Sequence, residues 1–241
     1  MTPWWIALQF LTRLPVRLAG MPSPQQIGRS LLWYPLVGLL LGLLLFALQQ
    51  LIGGLSLLLQ AALLLTVWVG VSGGLHLDGL ADSADAWVGG FGDRARTLEI
   101  MKDPRSGPIA VVVLMLLLLL KFAALVSLLE NGAGALLVLL PWIGRSVLPL
   151  LFLTTAYVRQ GGLGQALAEH LPRRQLPWLL AVHVGLMLLF GWPALLALLV
   201  AGGVFIWLRM LMLKRLGGTT GDTAGALLEL VECSVLVALA C

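Results

Sequence analysis

Apolar residues run along this chain in long unbroken blocks separated by short polar segments, with no two-residue alternation. The blocks extend from Ser30 to Gln50, Leu55 to Ser72, Pro108 to Leu129, Ala135 to Val158, Leu176 to Phe190, Pro193 to Leu213 and Thr223 to Cys241. A helix rising 1.5 Å per residue crosses a hydrocarbon core in about 20 residues. The pattern predicts one helix per block, and so an all-α, polytopic membrane bundle of about six to seven transmembrane helices. The block at Leu176 is the shortest, and the last contains Glu229 and Glu232. No internal repeat or low-complexity linker divides the chain, so residues 1–241 read as a single transmembrane domain. Ahead of the first block, Trp4 to Leu11 is a short apolar run whose charges, Arg13 and Arg17, follow it, the reverse of a signal peptide. It reads as a segment in the headgroup layer or as a terminus tucked against the bundle.

Composition settles the solvent. Hydrophobic residues make up 60% of the chain and charged ones 11%, against about 25% charged in an ordinary soluble domain. A mean hydropathy of +1.00 agrees, and the lipid bilayer is the expected partner. The net charge of +4 does not point to nucleic acid, because the basic residues are scattered among short loops. Cys233 and Cys241 lie in the last apolar block without metal or disulfide spacing and read as small buried side chains.

The same basic residues orient the bundle, since Lys and Arg are retained in cytoplasmic loops. Arg13, Arg17 and Arg29 precede the first block, and Arg94, Arg96, Lys102 and Arg105 lie between the second and third. Arg159, Arg173 and Arg174 follow the fourth, while Arg209, Lys214 and Arg215 flank the end of the sixth. The alternate loops, Ile52 to Gly54, Glu130 to Gly134 and Gly191 to Trp192, contain no Lys or Arg and are too small to build a site. Any chemistry is therefore expected to face the cytoplasm.

The acidic candidates cluster in the segment Gly73-Gly74-Leu75-His76-Leu77-Asp78-Gly79-Leu80-Ala81-Asp82-Ser83-Ala84-Asp85. On a helix, positions i, i+4 and i+7 fall within about 60° of one another, so Asp78, Asp82 and Asp85 share a face. Carboxylates that close repel unless a cation lies among them, and oxygen-only ligation suits Mg²⁺, or Mn²⁺ in its place. The plainer reading is a solvated acidic loop. The small residues between the acids favour a ligand, because they leave room for one. Asp82 is a candidate both for metal and for accepting a proton. His76 lies about 160° from Asp78 on a continuous helix. It serves as a general base only if the helix breaks near Gly79, and is otherwise a hydrogen-bonded structural histidine.

Three further segments supply partners. Met101 to Pro108 sets Lys102, Asp103 and Arg105 among prolines and a glycine, which suits phosphate oxygens better than a simple positive anchor would require. Gly217 to Gly225 offers Thr219, Thr220 and Asp222 before the last block, either as anion and metal contacts or as a helix cap by Asp222 or Thr223. Tyr157 to Gly164 pairs Arg159 with glycines. Lys121 and Arg145 fall inside apolar blocks, where an unpaired cation costs at least ~2.5–3.5 kcal/mol. Glu229 and Glu232 lie ~10 and ~15 Å beyond Asp222 along a helix, at a depth to meet them. An ion-pair network joining the third, fourth and seventh spans is expected. It would hold helices together or floor a polar cavity in which Arg145 contacts substrate.

Phe10 to Pro15, with Arg13 among them, Gly73 to Asp85, Met101 to Gly107 and Gly217 to Asp222 together resemble the cobalamin synthases, the adenosylcobinamide-GDP ribazoletransferases. The resemblance spans nearly the whole chain. It implies a Mg²⁺-dependent enzyme of the bacterial inner membrane. Such an enzyme transfers the cobinamide-phosphate group of adenosylcobinamide-GDP to α-ribazole or its 5′-phosphate, releasing GMP. It also implies Asp78, Asp82 and Asp85 as metal ligands and Lys102 and Arg105 as diphosphate contacts. Ala86-Trp87 and Ser106-Gly107-Pro108 depart from the family pattern and put loop shape in question. Two other classes compete: a CDP-alcohol phosphotransferase, whose longer acid spacing this chain lacks, and a secondary transporter, which needs access from both sides. Oligomeric state, a homo-oligomer included, is not written in the sequence.

Overall fold

The computed structural model describes residues 2–18, 20–159, 161 and 163–241, with Leu163 described by its backbone alone. The first helices are α1 (Thr2–Leu11), α2 (Pro24–Ser30), α3 (Tyr34–Leu51), α4 (Leu57–Ser72), α5 (Leu75–Gly89) and α6 (Arg94–Ile100). They are followed by α7 (Pro108–Glu130), α8 (Leu139–Thr154), α9 (Leu163–Glu169), α10 (Leu176–Met187), α11 (Trp192–Leu216) and α12 (Gly221–Ala240). Five stretches among the described residues are long and apolar enough to cross a bilayer: Pro24–Leu51, Pro108–Glu130, Gly134–Thr154, Trp192–Leu216 and Gly221–Ala240. The pair α4 and α5 passes the same test only when taken together, and the 87° bend between them turns α5 off the axis of α4. The segment Leu176–Phe190 is a shorter apolar helix. The chain is thus an all-helical, polytopic membrane protein.

Helix ends depart from the apolar blocks wherever a cap overrides hydropathy. The first span begins at Pro24, ahead of Ser30, because Ser23 and Gln26 form a reciprocal capping box and proline suits the first helical turn. α8 stops at Thr154 rather than Val158, since the next residues extend to pair with the loop before α12. α1 is the tucked-in alternative: Ala7, Leu8 and Leu11 are buried in the main core, and Trp4 meets Trp33 edge-on at 5.5 Å.

α8 and α12 are mostly buried and form the centre, whereas α7 and α11 turn most of their surface outward. Val112, Met115, Leu116 and Leu119 on α7, with Leu199, Ile206 and Trp207 on α11, are all exposed. In water such faces would be an aggregation hazard; in lipid they are the proper surface. α10 is fastened to α8 by the indole Trp142 Nε1, which donates to His183 Nδ1 at 2.9 Å.

At mid-bundle the expected ion network is present. Lys121 Nζ lies 2.6 Å from Glu229 Oε2 and 3.1 Å from Glu232 Oε2, and Arg145 pairs with the other oxygen of Glu232. All four side chains are buried, and the Lys121 ammonium lies 4.6 Å from the centre of the Trp68 ring. Two cations balance two carboxylates, so the four buried charges of α7, α8 and α12 compensate one another.

The connections separate to two ends. At one, Asn131 donates to the carbonyl of Ala240 near the end of α12, and Gly134 packs on Gln49. At the other, polar end gather Arg13, the turn before α5, the loop before α7, the 155–159 segment and the start of α12.

Candidate active site

The site begins with a break in the chain. Gly73 closes α4 and Gly74 opens α5, both at φ 69°, a left-handed conformation that only glycine takes without strain. Two such residues in succession produce the 87° bend. The backbone of Arg13 donates to Val71 O at 2.7 Å and its side chain lies flat on Gly73, so the stretch after α1 latches the bend.

α5 then runs unbroken to Gly89, carrying Asp78, Asp82 and Asp85 as the spacing predicted. It packs along the first turns of α12. At Gly79 a Cβ would come within 2.8 Å of the Asp222 carbonyl oxygen, so the missing side chain lets Asp222 approach the acids. α12 starts there because Thr220 caps it and Thr223 returns the bond to the Thr220 N–H. The preceding loop is stitched to residues 156–158: Thr219 N–H donates to Ala156 O at 2.8 Å, and Val158 N–H to Thr219 O at 2.9 Å. That pairing delivers Arg159, whose Nη1 lies 2.7 Å from Asp222 Oδ2. Gln160 and Gly162 of the same glycine-rich loop lie outside the described residues.

Asp82 registers this crowding. Burial first, then the charges of Asp78, Asp222 and Asp85, push its carboxyl up to about 6, with Arg159 opposing. Asp85 has a different setting. Its carboxylate accepts from Gly107 N–H and, at 2.9 Å, from Ala110 N–H, bracing the N-terminus of α7 against α5. The loop before α7 is thereby held beside the acids. Lys102 of that loop, with His76, Asp78, Arg159 and Asp222, lines a cavity of about 410 Å³. Phe10, Tyr34, Phe152 and Tyr157 complete its walls.

Other candidates fall elsewhere. Arg145 does not reach this cavity. It is fully buried against Glu232, so the substrate contact expected of it is replaced by a structural ion pair. Thr219 and Thr220 are likewise buried, and their hydroxyls serve Thr223 and the cap rather than a substrate. Asp103 and Arg105 lie in the open loop, paired at 2.7 Å, and the hydrogen bonds from Arg105 hold the Asp103 carboxyl down at about 2. His76 does line the cavity, but it is buried on an unbroken helix and its Nδ1 has no partner among the described residues, so the helix break its base role required is absent. The aromatic walls were not foreseen, although one signal existed: the chain has two tyrosines, and both line this cavity.

A family model described as cobalamin-5-phosphate synthase matches residues 3–240. The chain belongs to the cobalamin-5-phosphate synthase family. A relative from Ectopseudomonas mendocina is 73% identical over 98% of this chain and 97% of its own length. One from Pseudomonas aeruginosa PAO1 is 68% identical, over 98% and 96%. A third, from Pseudomonas fluorescens Pf0-1, is 67% identical over 100% and 99%. All three are named adenosylcobinamide-GDP ribazoletransferase. No solved structure matches significantly. Membership in the cobalamin synthases makes this chain a transferase of late cobalamin biosynthesis and sets the transporter reading aside.

Proposed function

We propose that the protein transfers the cobinamide-phosphate group of adenosylcobinamide-GDP to α-ribazole, or its 5′-phosphate, at the polar end of the bundle, with Mg²⁺ as cofactor. A ribose hydroxyl of the acceptor, one that stays free in both α-ribazole and its 5′-phosphate, forms a bond to the phosphorus attached to cobinamide. The bond from that phosphorus to the bridging oxygen breaks, GMP leaves with that oxygen, and the hydroxyl proton passes to a base. The observation that carries the reading is the juxtaposition of Asp78, Asp222, Arg159 and Lys102 around one cavity in a chain of this family.

The donor set fits a metal shared with substrate. Among the described residues no three His, Cys, Asp or Glu side chains converge as a metal cage. Mg²⁺ commonly takes one or two carboxylates and completes its shell with phosphate and water. Asp78 and Asp82 would hold it, with Asp222 alongside, while Asp85 keeps its place at the end of α7. When bound, the ion supplies charge neutralisation at the diphosphate. Lys102 and Arg159 bind non-bridging oxygens and take up charge as GMP departs. A carboxylate of this cluster not engaged by the metal would accept the hydroxyl proton.

Positive residues concentrate at the polar end, and the retention of Lys and Arg on the inner side supports a cytoplasmic site in a multi-pass inner-membrane protein. The test is to incubate purified protein in lipid with adenosylcobinamide-GDP, α-ribazole and Mg²⁺. GMP and cobalamin should appear in equal amounts. Absence of both with Mg²⁺ and with Mn²⁺ would overturn the proposal.

A further inference from the structure

The cavity is built as two unlike halves. Its exposed or half-exposed side carries the charges, namely Asp78, Lys102, Arg159 and Asp222. Its walls carry two stacked aromatic pairs. Phe10 and Tyr34 have ring centres 6.2 Å apart and planes at 21°, and Phe152 and Tyr157 are 6.1 Å apart at 26°. Tyr34 and Phe152 are buried, so the aromatic part is the deep part.

Resting on the reaction proposed above, we propose that this cavity seats the acceptor nucleoside, which enters base first and leaves its ribose hydroxyls among the charges at the rim. The volume of about 410 Å³ suits a nucleoside and lies within the ~300–1,000 Å³ of small-molecule sites. It does not contain a corrin ring with its side chains, which must remain outside with the diphosphate. Between the two bases in the reaction, chemistry selects. Guanine carries donors and acceptors around its edge, and most would be stranded, because beyond His76 and the tyrosine hydroxyls the deep walls are aromatic and aliphatic. The base of α-ribazole is a methylated benzimidazole with one free ring nitrogen and a large apolar face, which stacks on aromatic rings with little to strand. With the base held deep, the sugar is the part that meets Asp78 and the Asp222–Arg159 pair, where the attacking hydroxyl is needed.

The test separates this seat from the reaction. Calorimetric titration of the lipid-embedded protein with α-ribazole alone, without corrinoid, should show binding that benzimidazole riboside competes for and guanosine does not. Tyr157→Leu and Phe10→Leu each remove one ring from a partly exposed position. Each should weaken α-ribazole binding, and raise its KM, by about tenfold, the scale of losing one stacking partner. The KM for adenosylcobinamide-GDP should change less than twofold. Guanosine competing as well as the benzimidazole riboside would overturn the seat, whatever the variants do. So would variants that bind α-ribazole normally while the corrinoid KM rises. Wild-type protein that binds α-ribazole as described yet forms no cobalamin would defeat the reaction and leave the seat standing.

Discussion

Asp82 holds a carboxyl where negative charge is disfavoured, and its titration gives that a sign. Its carboxyl is raised from 3.8 to about 6 in the folded protein, so the folded state binds the proton more tightly than the unfolded chain. Stability in metal-free buffer should therefore fall as pH rises from 4 through 6, and Mg²⁺ should restore it at pH 7.5 but not at pH 4.5. Thermal melts of wild type and Asp82→Asn check this; the variant should lose most of the slope and the turnover while remaining helical by circular dichroism. Glu232 supports a second prediction. It is shared by Lys121 and Arg145, so Glu232→Gln leaves Arg145 buried without a counter-charge and should destabilise the protein by ~3–5 kcal/mol. Adding Arg145→Met should recover much of that loss in the same unfolding measurement. The ion network was legible in the sequence because lipid tolerates no lone charge, so Lys121 and Arg145 announced the need for partners. The brace at Asp85 was not, because its partners Gly107 and Ala110 lie at the start of another helix and nothing local distinguishes it from Asp78. The aromatic walls escaped for a related reason: in a chain this apolar, a ring beside a cavity and a ring in lipid look alike.

Between elements, the decisive contact is α5 against α12. Gly79 abuts the Asp222 backbone, so Gly79→Val must push the two helices apart and draw Asp222 and Arg159 away from Asp78. A misplacement of ~1 Å at reacting groups costs about a hundredfold in rate. Turnover should drop by that order, while melting temperature should drop far less, a contrast read by assay and thermal shift on one preparation. The helices themselves were mostly legible, because unbroken apolar blocks have few other solutions in a bilayer. The exceptions are instructive. Nothing in hydropathy marks Ser23 and Gln26 as a helix start. Hydropathy is equally silent on the Gly73-Gly74 pair, whose backbone angles make it the bend that turns the acids away from the axis of α4. The extended 155–158 segment was hidden because its partner, the loop at Thr219, is far away along the chain.

For the whole molecule, one end of the bundle is chemically furnished and the other bare, which makes orientation testable. In a background with Cys233→Ser and Cys241→Ser, a cysteine at Ser106 should react with an impermeant maleimide only after the inner face is opened, and one at Asn131 should react in intact cells. The reverse pattern would place the site outside. The ion network has a further bearing on how the chain is made. α7 and α8 reach the membrane before α12 exists, each with a cation that costs ~2.5–3.5 kcal/mol or more to strand at mid-depth. Both counter-charges come from α12. A nascent chain therefore carries two unmatched cations until α12 inserts and neutralises them. A fragment ending at Leu216 should be cleared by membrane proteases while the full chain persists, a difference that pulse–chase labelling reads directly.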